Sequence, residues 1–397
     1  MFSVDDLRRI LVIAADMGVS DLDFQTGYPL FVNLYQYRHV MAREGRLLTQ
    51  EDVEAGHALQ LEIFTPEEMR LIANHLFKGA AAQEEMNRIR GGLNVAYMVE
   101  EKHAIGHERR GKKHRFRVNM VQGQTSGGET NVQITIRPLP AMVKFPEEYG
   151  IPDAIRENFF HPRGMVLVTG PTGSGKTTLL ASMMRDALER LKASYKIITA
   201  EDPIEIVLQD VIEQMLQNGQ IPRSFVHHAE VPTNLHGFDL SIREGMRRHP
   251  NVAMIGELRD KESISAALEM VLTGHMVVST THTIGVSATI DRLISGFPTE
   301  EKLIKKQDLV YSLRLIVSQI LVPSADGKVT PLREYLAFDA KVRDRLLKTS
   351  IENLMPEMDR LLVEYGRPMI RDVEDRYRDG KITQEVYHGL EKDYALA

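Results

Sequence analysis

The chain has 397 residues, of which 43% are hydrophobic and 26% charged, and a formal net charge of −6. That is the make-up of a globular protein of two or three domains, and it argues against one that coats nucleic acid non-specifically. There is no cysteine, which excludes disulfides, thiolate metal sites and a cysteine nucleophile.

No uncharged apolar run reaches the roughly 18 residues that a bilayer crossing needs. The opening MFSVDDLRRI lacks the basic start and apolar core of a signal peptide. A cytoplasmic protein is expected, with any membrane attachment made through partners. Ser3 and Asp6 form a capping box for a helix expected to end at Gly18. Alternating stretches follow at 21–24 and 30–35. Thr49 with Asp52, and Thr65 with Glu68 behind Pro66, open two more helices. Strands are expected at 92–99, 115–120 and 131–137, so residues 1–140 read as a small α+β domain. Prolines in the stretch 138–146 resist both helix and central strand and mark a linker, placed at 141–155.

From 156 to 338 apolar strands are followed by helices, the pattern of a parallel-rich sheet. Strands are expected at 165–169, 195–200, 252–255 and 276–280. Residues 339–397 are charged and periodic, broken at Gly366 and Gly380, and read as a helical tail. The fold class is α/β.

The stretch MVLVTGPTGSGKTTLL, residues 165–180, carries the strongest chemistry. Gly170 to Thr177 fits G-x-x-x-x-G-K-[ST] between a strand and a helix, the setting of a phosphate-binding loop. Gly170, Gly173 and Gly175 permit a tight turn whose N–H groups face phosphate oxygens. Pro171, Thr172 and Ser174 complete the loop, and Thr178 follows it. Lys176 supplies charge for the β- and γ-phosphates, and Thr177 a hydroxyl for Mg²⁺. ATP and Mg²⁺ are the expected ligands.

Glu257 stands at the C-terminal end of strand 252–255, the edge where ligands collect in parallel sheets. It is the candidate for activating water. Glu201 opens a second acidic cluster, EDPIE, for which an ordinary acidic loop is an equal reading. In TGHMVVSTTHT, residues 273–283, a strand separates His275 from His282 by roughly 20 Å. A shared metal ion is therefore not expected.

Four motifs in order, GPTGSGKT, EDPIE, IGELRD and TGHMVVSTTHT, resemble the secretion ATPase superfamily of pilus, type II and type IV motors. SDLDFQTGYP and RFRVN resemble its PAS-like N-terminal domain. ESISAALEMVLTGH, PLREYLAFD and GKITQEVY are most similar to the DotB-type ATPases of type IVB secretion and the related TraJ ATPases of conjugation. The resemblance implies a RecA-like ATPase domain and a ring, usually a homohexamer, attached to inner-membrane components of a secretion or conjugation apparatus. It implies arginines reaching the nucleotide, with Arg115, Arg117 and Arg137 as candidates. It also raises His282 as a γ-phosphate sensor or a hydrogen-bond partner of the catalytic carboxylate, and His275 as a subunit or domain contact.

One departure stands out. His249-Pro250-Asn251 occupies the place where pilus-retraction ATPases carry Asp-Pro-Asp, so metal binding rests on Thr177, nucleotide, water and Glu201. A clear match to the C-terminal motif of pilus retraction is also missing, which lowers that reading. A DNA translocase has only the basic segment 102–117 as support, without interleaved aromatics. A nucleotide-gated adaptor that does not hydrolyse ATP stays open.

Overall fold

The computed structural model describes residues 2–34, 37–49, 52, 62–79, 81–100, 113–124, 130–139, 142–190, 194–231 and 234–394. The chain divides into two compact units, Met1–Ala141 and Met142–Ala397, and each is taken by itself.

In the first unit the capping boxes form as the sequence predicts. Ser3 Oγ accepts from Asp6 N at the start of α1 (Val4–Met17), and Gly18 ends that helix at φ 77°. After β1 (Asp21–Gln25), β2 (Leu30–Leu34) and β3 (Tyr37–Met41), Thr65 caps α2 (Pro66–Phe77). Thr49 and Asp52 make their reciprocal capping bonds, but the helix expected after them lies outside the described residues. Then come α3 (Ala82–Ile89), β4 (Leu93–Glu100), β5 (Lys113–Gln124) and β6 (Thr130–Leu139). The strands form one antiparallel sheet in the order β3-β2-β1-β6-β5-β4. Alternation along β5 buries Phe116, Val118 and Met120 and leaves Arg115 and Arg117 half-buried on the other face. The buried face packs with Leu7, Ile10 and Leu11 of α1 and Ile72 and Leu76 of α2.

Pro138 corrects the linker expected from 138. It continues β6, opposite Phe116. Pairing of β6 with β1 reaches only Ile136, opposite Leu22, so the missing N–H of Pro138 breaks no ladder on that side.

The second unit begins with a 3-10 turn, Pro146–Tyr149, and α4 (Asp153–Glu157). Val143, Ile151, Ile155 and Phe159 are buried in this unit's core, so the segment is packed structure. The elements that follow are β7 (Gly164–Thr169), α5 (Lys176–Glu189), β8 (Lys196–Glu201), α6 (Gln209–Gln217), β9 (Phe225–Glu230), α7 (Phe238–Met246) and β10 (Val252–Ile255). Next are α8 (Lys261–Leu272), β11 (Met276–Thr281), α9 (Val286–Ser295), α10 (Thr299–Ser312), β12 (Leu313–Pro323) and β13 (Val329–Ala337).

The sheet order is β13-β12-β7-β11-β10-β8-β9. All neighbours are parallel except β12 with β13. The four predicted strands are present within a residue or so, while β9, β12 and β13 were not singled out. β7 is buried at every position, as expected of a strand with both faces covered.

The tail consists of α11 (Ala340–Lys348), α12 (Leu354–Tyr365), α13 (Met369–Arg378) and α14 (Gln384–Tyr394). It is docked: Met369, Ile370 and Val373 pack with Ile320, Val322 and Leu332 of the β12–β13 hairpin. Among the described residues, no helix is long and apolar enough to cross a membrane.

Candidate active site

Parallel strands end on the same side of a sheet. β7 runs into the loop 170–175, β10 into Gly256-Glu257, β8 into Asp202, and β11 into His282. The order β7-β11-β10-β8 therefore sets these residues along one edge.

The loop has the shape its glycines predict. Gly170, Gly173 and Gly175 have φ of 142°, 79° and 82°, a region that glycine enters without strain. A Cβ on Gly170 would lie 2.1 Å from the Gln319 carbonyl oxygen. Lys176 opens α5, is 8% exposed, and donates from Nζ to the carbonyls of Gly170 (2.8 Å) and Pro171 (2.9 Å). Burial pushes the Lys176 ammonium below its ordinary pKa, and the charges of Glu257 and Glu205 oppose that shift.

Among the described residues, two buried hydroxyls here, Thr169 Oγ1 and Ser174 Oγ, have no hydrogen-bond partner. Orphaned buried hydroxyls, glycine-only turns and a buried lysine suit an anion with several acceptor oxygens. ATP fits this donor set.

Metal chemistry is narrower. Among the described residues, no group of three His, Cys, Asp or Glu side chains could hold a metal ion by itself. Mg²⁺ is commonly held by few protein ligands together with substrate phosphates and water. Thr177, in the first turn of α5, and the carboxylate of Glu201 fit that mode.

Glu257 is held at both oxygens. Arg259 Nε donates to Oε2 at 2.6 Å, and His282 Nε2 lies 3.1 Å from Oε1. Arg259 Nη1 also lies 3.5 Å from Asp202. The loop beneath is tied to its neighbours, because Gly256 N donates to Ala200 O and Leu258 N to Thr280 O. Thr280 Oγ1 donates to Gly256 O at 2.6 Å. His282 is thus joined to Glu257. His275 sits at the opposite end of β11, where its Nδ1 lies 3.2 Å from Met270 O at the end of α8. The structure does not bring His275 to the nucleotide edge.

Glu201 ends β8 and is 3% exposed. Its Oε1 accepts from Thr199 Oγ1 (2.6 Å) and lies 2.9 Å from His228 Nδ1. His228 Nε2 accepts from Leu208 N at 3.0 Å. A ring nitrogen that accepts carries no proton, so the bond from Leu208 assigns the proton to Nδ1, which faces both Glu201 Oε1 and, at 2.8 Å, Thr199 Oγ1. The acidic cluster is therefore no ordinary solvated loop at Glu201.

His228 and Arg259 are the residues that sequence reasoning missed. Arg259 stands inside IGELRD, two places from Glu257, and that spacing was the available signal. His228 lies on β9, far along the chain, and no local pattern joins it to Glu201.

In the first unit Arg117 pairs directly across from Arg137, and Arg115 lies two residues along the same face. Arg137 is ion-paired with Asp21 at 2.9 Å. Like charges placed opposite one another disfavour a sheet unless anions answer them. Of the basic segment, residues 102–112 lie outside the described residues.

Comparison with known proteins adds family information. The family described as Type II/IV secretion system protein matches residues 77–353. The chain is 34% identical to the type IV pilus retractation ATPase PilT of Pseudomonas aeruginosa, over 60% of this chain and 64% of that protein. It therefore spans just under two thirds of that relative's length. It is 34% identical to a twitching motility protein of Neisseria gonorrhoeae, over 68% of each. Among solved structures, the ATPase DotB of Legionella pneumophila superposes with a TM-score of 0.81 at 31% identity, over 99% of this chain and 96% of that one. The pilus retraction motor PilT with bound ADP superposes with a TM-score of 0.70 at 27% identity, over 98% and 97%.

Proposed function

This chain belongs to the Type II/IV secretion system protein family, and from that premise we propose that it is an Mg²⁺-dependent ATPase motor that acts as a ring, a homohexamer, to energise type IVB secretion or conjugative transfer. The observation that carries the secretion reading is the likeness to DotB across nearly the whole chain, tail included. The sites carry the ATPase reading.

In this mechanism the loop N–H groups and Lys176 hold the phosphates, and Thr177 and Glu201 would hold Mg²⁺. The ion, when bound, neutralises charge on the β- and γ-phosphate oxygens. Glu257 orients the attacking water in line with the γ-phosphate. Each carboxylate oxygen has a second lone pair, so the bonds to Arg259 and His282 aim the group and leave it an acceptor. His282, joined to Glu257, reports the γ-phosphate. Arg115, Arg117 and Arg137, supplied to the nucleotide of a neighbouring subunit, stabilise transition-state charge, a role worth about 10³–10⁵ in rate where it operates. Loss of γ-phosphate contacts then moves one unit against the other. The protein acts on the cytoplasmic side, bound to inner-membrane components of its apparatus.

The test is ATP turnover per subunit over a wide protein concentration range, with mass followed by light scattering. Turnover that rises with assembly, and Arg117→Ala that assembles but hydrolyses poorly, support a site completed between neighbours. Constant turnover while a ring forms contradicts it.

Pilus retraction is the second reading, favoured by the identity to the Pseudomonas and Neisseria proteins. Deleting the gene separates the two: loss of substrate or plasmid transfer supports the first, and loss of twitching the second. A DNA translocase would instead show DNA-stimulated hydrolysis, and an adaptor would show none.

A further inference from the structure

The floor beneath the phosphate loop is built from a part of the fold outside the four motifs. Gln319, on β12, is 3% exposed, and its Nε2 donates to the Ser174 carbonyl at 2.5 Å. Its Oε1 accepts from Arg333 Nε, on β13, at 2.7 Å. The register of the hairpin sets Gln319 directly opposite Arg333. Arg333 is 2% exposed, and each terminal nitrogen makes one further bond, Nη1 to the carbonyl of Gly150 (2.7 Å) and Nη2 to that of Tyr149 (3.0 Å).

This arrangement is costly. A buried guanidinium that hydrogen-bonds uncharged oxygens recovers less of its lost hydration than one paired with a carboxylate. Burial lowers the Arg333 pKa to about 10, against the opposing charge of Asp372, so the group stays protonated near neutrality. An apolar side chain would fill a buried position of a hairpin at less cost.

The hydrogen bonds show what the charge secures. An amide side chain can be flipped, and either end of Gln319 could face the loop. Arg333 has only donors, so it takes Oε1 and leaves Nε2 for Ser174. Ser174 O and Gly175 N belong to one planar trans peptide, whose C=O and N–H point in opposite directions. Drawing the carbonyl onto Gln319 therefore turns the Gly175 N–H to the other side. The same two glycines that shape the loop leave room for this contact: a Cβ on Gly170 would meet Gln319 O, and one on Gly175 would lie 2.9 Å from Gln319 Nε2.

We propose that Arg333 is a positioning residue for nucleotide binding: through Gln319 it fixes the 174–175 peptide so that the Gly175 N–H is presented to phosphate. The guanidinium also holds Tyr149 and Gly150, close to the start of the second unit, and its backbone N–H is held by Asp372 of α13 at 2.9 Å. The phosphate loop, the entry segment and the tail thus share one buried residue.

The inference rests on the nucleotide-binding reading above. The experiment titrates full-length wild type, Gln319→Glu, Arg333→Met and the double variant with a fluorescent methylanthraniloyl-ADP in Mg²⁺, and records the thermal midpoint of each. Glu at 319 still pairs with Arg333 but has no proton for Ser174. The expected result is ADP binding weakened about ten- to a hundredfold, as for loss of a hydrogen bond to a charged group, at a midpoint no lower than wild type. Arg333→Met weakens binding as well, and the double variant is less stable than Gln319→Glu alone, because Glu at 319 is then buried without a partner charge. Gln319→Glu with wild-type affinity overturns the inference, and that variant decides even where Arg333→Met fails to fold. Wild type that does not bind the probe overturns the nucleotide-binding reading itself.

Discussion

Replacing Glu68 by glutamine tests how the first unit is fastened. This buried carboxylate joins three separate pieces of chain. Oε1 accepts from Phe2 N at 2.5 Å and Arg43 Nη1 at 2.9 Å, and Oε2 accepts from Thr65 N at 3.0 Å and Arg43 Nη2 at 3.1 Å. Arg43 in turn lies over the rings of Phe2 and Phe64. Burial alone would raise the Glu68 pKa, but Arg43 and the two backbone N–H groups outweigh it and hold the carboxyl at about 2.

The folded pKa lies below the ordinary value of 4.5, so the unfolded chain binds the proton more readily. The ionised group therefore contributes stability that is full above pH 4.5 and is lost as the pH falls towards 2. The size of the depression corresponds to about 3 kcal/mol. Urea unfolding of the full chain, followed by far-ultraviolet circular dichroism at pH 7 and pH 3, measures it. Hydrogen exchange in α2 localises it. Glu68→Gln is expected to cost about 2–3 kcal/mol at pH 7 and less than half of that at pH 3. A cost that is the same at both pH values, or below about 0.5 kcal/mol at pH 7, refutes the reasoning.

Two further perturbations probe the nucleotide edge. Gly170→Ala places a methyl group against the backbone oxygen of Gln319, which cannot swing aside, in a conformation that favours glycine. It is expected to abolish ADP binding in an equilibrium titration while leaving the first unit's exchange pattern unchanged. His228→Leu removes the donor that aims Glu201. It should raise the Mg²⁺ concentration for half-maximal turnover about tenfold or more, as outer-shell losses do, with His228→Gln closer to wild type. An unchanged Mg²⁺ requirement would detach Glu201 from the metal.

What could be read in the sequence follows distance along the chain. The loop 170–177 was legible because its chemistry is contiguous: strand, glycines, lysine and threonine lie in one short run. Glu257 and His282 were legible as strand ends, and the parallel order then brought them together. Arg259 was visible only as part of a motif, because pairing with Glu257 depends on how the chain turns after β10.

His228 was hidden for a different reason. FVHHAE alternates only partly between exposed and buried, since β9 is an edge strand with one neighbour. Its periodicity is weak, and its partner Glu201 is 27 residues away. Gln319 and Arg333 lie still farther from the loop, 145 residues away in the case of Gln319, and polar residues inside an apolar hairpin carry no local signature of what they support. Pro138 misled because a proline signals a break, whereas one-sided pairing at the end of β6 tolerates it.

The central claim is that one carboxylate at the end of β10 directs water onto ATP held by the loop after β7. The direct measurement is Mg-ATP turnover beside equilibrium ADP affinity for Glu257→Gln and wild type. The account predicts affinity within about threefold of wild type and turnover lower by about 10² or more, the usual scale for a positioned proton acceptor. Turnover near wild type in Glu257→Gln would contradict it.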